Sequence, residues 1–188
     1  TPPGEELDGL EQLRDDLKQE PELVVLFGAG VKGAGVRRLV EFGDSLGIPV
    51  KYVPLVDYSN SRGAIDMGLV PELLPGYRPS GEPGLRLPEM LAAPDLDVLW
   101  VVGANPLKNG RTLASGSAFV VVQDMFLTET AQRADVVLPA ASAYEKSGTV
   151  TSVCGEVQRL KRAMQKPGTK ADLEIFGLIA RAMGLDLK

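Results

Sequence analysis

Apolar and polar positions along the chain change period several times, and each change marks an expected element. Leu7, Leu10, Leu13 and Leu17 recur at helical spacing, which predicts an amphipathic helix over 5–19 that Pro21 ends. The apolar run closing on Leu26 and Phe27 predicts a buried strand. Val36, Leu39, Val40 and Leu46 then mark a second helix, with Gly47 placed as its C-terminal cap, and 50–55 predicts a second strand. From 57 to 94 the texture changes: glycine and proline are dense enough to forbid long regular elements. Met67, Leu69, Leu73, Leu74 and Tyr77 are too apolar for a disordered linker, so this stretch reads as an ordered excursion that packs against something.

Regular rhythm returns at 98–102, where a continuous apolar run predicts a buried parallel strand, and "AFVVVQDMF" repeats it. Thr128 is placed to cap a short helix through Ala134, with Glu129 in its first turn. "DVVLPAA" predicts a strand stopped by Pro139, and "GTVTSVCGEVQRL" alternates as an edge strand or hairpin. Thr169 and Asp172 have the spacing of a capping box. They precede a helix on which Leu173, Phe176, Ala180 and Met183 share one face and which ends at Gly184. Strands alternating with helices imply an α/β fold: a doubly wound, mainly parallel sheet with helices on both faces. The expected organisation is a single α/β domain over 1–188, with the excursion at 57–94. An opening of "TPPGEELDG" without methionine suggests a piece of a longer chain.

"LFGAGVKGAG" spells GxGxxG with Gly28, Gly30 and Gly33. A strand, a tight glycine turn and a helix N-terminus together suit a dinucleotide phosphate. The ribose-binding carboxylate that such a site needs is weakly represented. The next strand offers Asp57, beyond Pro54 and past the expected strand end. Glycine-rich strand-to-helix turns also occur in α/β sheets that bind no nucleotide, so a structural turn is the favoured reading and a NAD-binding domain the alternative.

Composition narrows the chemistry. The net charge of -5 argues against a nucleic-acid surface. Histidine is absent and Cys154 is the one cysteine, so this chain supplies neither a histidine general base nor the ligands of an iron–sulfur cluster or structural zinc. A lone cysteine fits a reducing compartment, and no apolar stretch is long enough to cross a bilayer.

Ligands of open α/β sheets sit outside the carboxyl ends of the strands. Asn105, Asp124, Thr128, Thr130, Asp135 and Glu145 are the polar residues expected there. Each also has a plainer explanation: Thr128 as a cap, Asp135 and Asn105 as turn residues. Taken together, however, "GANPL", "FVVVQDMFLTETAQRADVVLPAAS", "YEKSGTVTS" and "GEVQRLKRA" resemble the molybdopterin oxidoreductase family, strongly over 103–163 and more loosely over 23–56. Within it, "AIDMGLVPELLPGYRP" most resembles the large iron–sulfur subunit of NADH-quinone oxidoreductase, respiratory complex I.

The resemblance implies a pterin pocket with candidates Asn105, Asp124, Thr128, Thr130, Asp135, Pro139, Glu145, Gly148 and Thr149. For complex I it implies that the pocket carries no cofactor, that catalysis lies elsewhere, and that iron–sulfur clusters belong to an N-terminal region outside this chain. The partners would be other subunits of the peripheral arm, on the cytoplasmic side of the bacterial inner membrane, with no direct membrane insertion. At "TSVCGEV" the chain departs from the family pattern: Ser152, Cys154 and Glu156 stand where relatives place Asn, Glu and Arg. Three functions follow as expectations: a non-catalytic domain of complex I, the cofactor-binding part of a molybdenum enzyme such as a formate dehydrogenase, or an independent NAD-binding domain.

Overall fold

The structure is a computed structural model that describes residues 9–186. Contacts divide it into two units: residues up to Gly63 with Thr151–Glu156, and Ala64–Val150 with the chain from Val157 onward. Both are α/β, and helices flank parallel sheets. No described helix is long and apolar enough to cross a membrane.

In the first unit α1 spans Leu10–Leu17, with none of its residues buried; the part of the expected helix before residue 9, Leu7 included, lies outside the described residues. Strand β1 (Leu23–Phe27) pairs in parallel with β2 (Val50–Pro54), Leu23 opposite Val50 and Phe27 opposite Pro54. Between them runs α2 (Ala34–Ser45), and Gly47 follows at φ 70°, the left-handed conformation that lets a helix end. The first-unit part of the 57–94 stretch holds the start of α3 (Ser61–Asp66).

In the second unit, β3 (Leu73–Leu74) and β4 (Arg78–Pro79) form a very short antiparallel pair, followed by α4 (Leu87–Ala92). These fragments are as short as the glycine and proline density requires. The main sheet has the order β5–β6–β7, formed by Val98–Val102, Phe119–Asp124 and Val136–Pro139, all parallel. One face carries the core: Leu99, Val101, Val120, Val122 and Ala131. Across the other face lies α5 (Asp172–Ala182), whose Phe176 meets Trp100 edge to face at 5.2 Å between ring centroids. Strands β8 (Gly148–Thr151) and β9 (Val157–Leu160) form a separate pair, as the hairpin pattern predicts.

Several expectations are corrected: β1 is not a buried strand, since none of its residues is buried and Val24 and Leu26 are exposed. Strand β5 is not buried throughout: Val98, Trp100 and Val102 are exposed while Leu99 and Val101 are buried. It is an edge strand, and one of its faces is only partly covered. The helix after Thr128 is a three-residue 3-10 turn, Ala131–Arg133, although Thr128 Oγ1 does accept from the Ala131 N–H at 3.2 Å. The capping box at 169–172 does not form. Ala171 is the N-cap without a side-chain bond, and Thr169 instead donates to Glu145 Oε1. On α5 the buried residues are Ile175 and Ala180, whereas Leu173 and Met183 point outward.

Candidate functional site

The carboxyl ends of β5, β6 and β7 open into a cavity of ≈ 550 Å³ within the second unit. Loops following the strands supply its wall. Gly103, at φ 59°, turns the chain immediately after β5 and donates its N–H to the Gln123 carbonyl at 2.8 Å, which carries the loop to Asn105. Asn105 is fixed from behind: its Oδ1 accepts from Thr130 N–H at 3.2 Å and from Thr130 Oγ1 at 2.7 Å, and its amide donates to Glu129. Thr130 is fully buried, and its hydroxyl oxygen also accepts from the Leu107 N–H at 3.1 Å. The hydrogen bond from Asn105 holds the Glu129 carboxyl below its ordinary value. Asp124 ends β6 and is held by the Phe126 N–H, which donates to Oδ1 at 3.0 Å.

Of the expected pocket residues, Asn105, Asp124 and Thr128 line this cavity and Thr130 braces it. Pro139 stands opposite Asp124 in the β6–β7 register, but the neighbouring Ala140 and Ala141 do the lining. Glu145 does not line the cavity: it accepts from the Ser142 N–H at 2.9 Å and from Thr169, and the backbone bond leads in holding its carboxyl below the usual range. Gly148 and Thr149 lie exposed on β8. Asp135 sits at the other end of the sheet, before β7, where it accepts from the Val120 N–H at 2.7 Å.

Three site residues were not legible as such in the sequence. Lys146 and Asp172 both line the cavity, with Lys146 Nζ 2.6 Å from Asp172 Oδ2. Gln123, fully buried under the α5 N-terminus, donates from Nε2 to Asp172 Oδ1 at 2.8 Å. Burial raises the Asp172 carboxyl, but the bonds from Lys146 and Gln123 and the lysine charge outweigh it, so the net direction is downward. The pair is 26 residues apart in sequence, beyond any local pattern.

In the first unit, Gly28, Ala29 and Asp57 line a hollow of ≈ 270 Å³ at the carboxyl ends of β1 and β2. Asp57 is past the strand end, as its sequence position requires, yet shares that hollow with the glycine turn. The remaining lining is largely apolar: Phe27, Val31, Pro54, Leu55, Val56 and Tyr58. The departure at 152–156 is a tight, internally bonded turn in the same unit. Ser152 N–H donates to the Glu156 carbonyl at 2.9 Å and Glu156 N–H to Ser152 Oγ at 3.2 Å. Arg62 Nη1 donates to the Val153 carbonyl at 2.6 Å, and Gly155, at φ 94°, leaves room for that guanidinium.

With that geometry in view, comparison with known proteins defines the class. The molybdopterin oxidoreductase pattern matches residues 54–182, and the chain belongs to the molybdopterin oxidoreductase family. It is 36% identical over 156 residues to the alpha subunit of F420-dependent formate dehydrogenase 1 of Methanococcus maripaludis, covering 70% of this chain and 23% of that protein. It is 38% identical over 155 residues to an NADH-quinone oxidoreductase subunit of Rhizobium meliloti, covering 67% and 18%. Formate dehydrogenase H of Escherichia coli is 31% identical over 160 residues, covering 70% and 22%. The chain thus spans less than a quarter of the length of these relatives.

The family name implies a molybdenum–pterin group. Asp124 offers an acceptor to the N–H edge of a heterocycle, and the Asn105 amide, its oxygen taken up by Thr130, offers one remaining N–H. The phosphates of a dinucleotide are not matched. Lys146 is the one lining cation among the described residues and is balanced by Asp172, while Asp124 adds a second carboxylate. The donor set therefore does not fit the charged group as a whole.

Proposed function

We propose that this chain is a non-catalytic α/β domain of the large subunit of a bacterial NADH-quinone oxidoreductase, supporting electron transfer from NADH to quinone. On this reading its partners are other subunits of the peripheral arm, it lies on the cytoplasmic face of the inner membrane, it carries no cofactor, and the clusters belong to other parts of the parent. The observation that carries the reading is the turn at 152–156. Where the family resemblance implies Asn, Glu and Arg, the turn presents Ser152, Cys154 and Glu156, and its backbone and Ser152 hydroxyl are bonded within the unit. By that resemblance the position of Glu156 is one where a guanidinium would meet a phosphate, and a carboxylate there repels it.

A second reading, the cofactor-binding domain of a formate dehydrogenase, is favoured by the cavity at the strand ends, with Asn105 braced by Thr130 and Asp124 in its wall. One experiment separates the two: metal and pterin analysis of the full-length parent complex, purified from a host that makes the molybdenum cofactor. The expected result is NADH-dependent quinone reduction without stoichiometric molybdenum. Stoichiometric molybdenum with formate oxidation overturns the first reading and establishes the second.

A further inference from the structure

Gln123 lies on the central strand β6, fully buried, between Val122 and Asp124. Its Oε1 has no hydrogen-bond partner. A buried, unpaired carbonyl is unfavourable, and a methionine or leucine of similar volume would suit the same place better on packing grounds. Exchanging the two ends of the amide gives no relief, because Oε1 would then face the Asp172 carboxylate. What the amide does provide is its Nε2 bond to Asp172 Oδ1. Asp172 is the first residue of α5, and with Oδ1 so held its Oδ2 receives Lys146.

Lys146 is half-buried and lines the cavity, and an ammonium has three donors, of which the structure commits one to Asp172. We infer that Gln123 is a positioning residue: acting through Asp172, it fixes the Lys146 ammonium as a rigid hydrogen-bond donor facing the cavity, suited to an oxygen atom of a molecule that enters it. A lysine on its flexible stem otherwise samples many rotamers, and one carboxylate oxygen alone restrains it weakly. The buried amide removes the freedom of that carboxylate to rotate. This inference is independent of which of the two assemblies the chain serves.

The test is the reactivity of Lys146 in the parent protein, measured by limited acetylation with acetic anhydride across a pH series and read by mass spectrometry. Exposed Lys108 and Lys161 serve as internal standards. In Gln123→Met and Gln123→Leu the expected result is a thermal midpoint equal to or above that of the wild type. Lys146 acetylation should rise severalfold relative to the standards, with an altered pH profile, and Asp172→Asn should give a rise at least as large. A role confined to packing would shift the midpoint and leave the relative reactivity unchanged. Unchanged Lys146 reactivity in a folded Met or Leu variant overturns the inference. Failure of both variants to fold also overturns it, since the amide would then be required for stability rather than for orientation.

Discussion

At the scale of single residues, Asp172 is the group whose charge carries the most consequence. Its carboxyl is held below the ordinary value of about 3.9 despite burial. A depressed folded value means that its contribution is fully present above the unfolded value and is lost as pH falls through the folded one. The expected outcome is that urea midpoints of the wild type decline as pH drops below about 4. Asp172→Asn should start from a lower midpoint at neutral pH and lose less over the same range. An identical acid limb in the two proteins would show that the pair with Lys146 contributes no stability. Asp172 also shows where local pattern misleads. An acid in the first turn of a helix reads naturally as a dipole partner, and with Thr169 three residues earlier it reads as a cap. The competing attractions, Gln123 and Lys146, come from β6 and from the loop after β7, and only the fold brings them near. By contrast Gly47 and Gly184 were readable, because the left-handed turn that each must make is a local requirement.

Among the elements, the strands were the most legible. The runs that form β1, β5, β6 and β7 are apolar, as strands of parallel sheets generally are, although Val24, Leu26, Val98, Val136 and Val137 stay exposed among the described residues; the parallel pairing accords with the helical segments between the strands. What the run could not tell is which strand would be an edge, and so β5 shows alternation that its composition hides. The excursion was legible as ordered but not in its detail. Its order comes from backbone bonds closing over short distances: Gly76 N–H to the Asp66 carbonyl at 2.8 Å, Ser80 to Glu72 at 2.9 Å and Gly84 to Pro71 at 3.0 Å. Tyr77 also bonds Asp66, and a side chain at Gly68 would strike the backbone of Leu74 and Pro75. In the intact parent, the amides of Gly76, Ser80 and Gly84 should exchange with deuterium more slowly than those of unbonded loop residues such as Gly116. Uniformly rapid exchange from 66 to 84 would contradict this packing.

For the molecule as a whole, the informative fact is how much apolar surface the described residues leave open. Met125, Phe126 and Leu127 follow one another on the loop after β6, each more than half exposed, and Tyr144 is 70% exposed. Consecutive exposed apolar residues of this size mark a surface that is covered in the working state. A chain comprising these 188 residues, expressed alone, should therefore self-associate, with a scattering mass that rises with concentration; a constant monomer mass up to about 100 μM would count against covered surfaces. The same openness applies to the sheet itself. In the order β5–β6–β7, no further strand pairs with β5 or β7 among the described residues, an isolated bridge from Ala140 to Lys170 apart, and unpaired backbone groups along such rims accept further strands readily. A strand docked on either rim would add its own hydrogen bonds to β5 or β7. Melting temperatures and exchange protection measured on these 188 residues alone are then expected to fall below those of the same residues in the full assembly, and each substitution proposed above is best compared there.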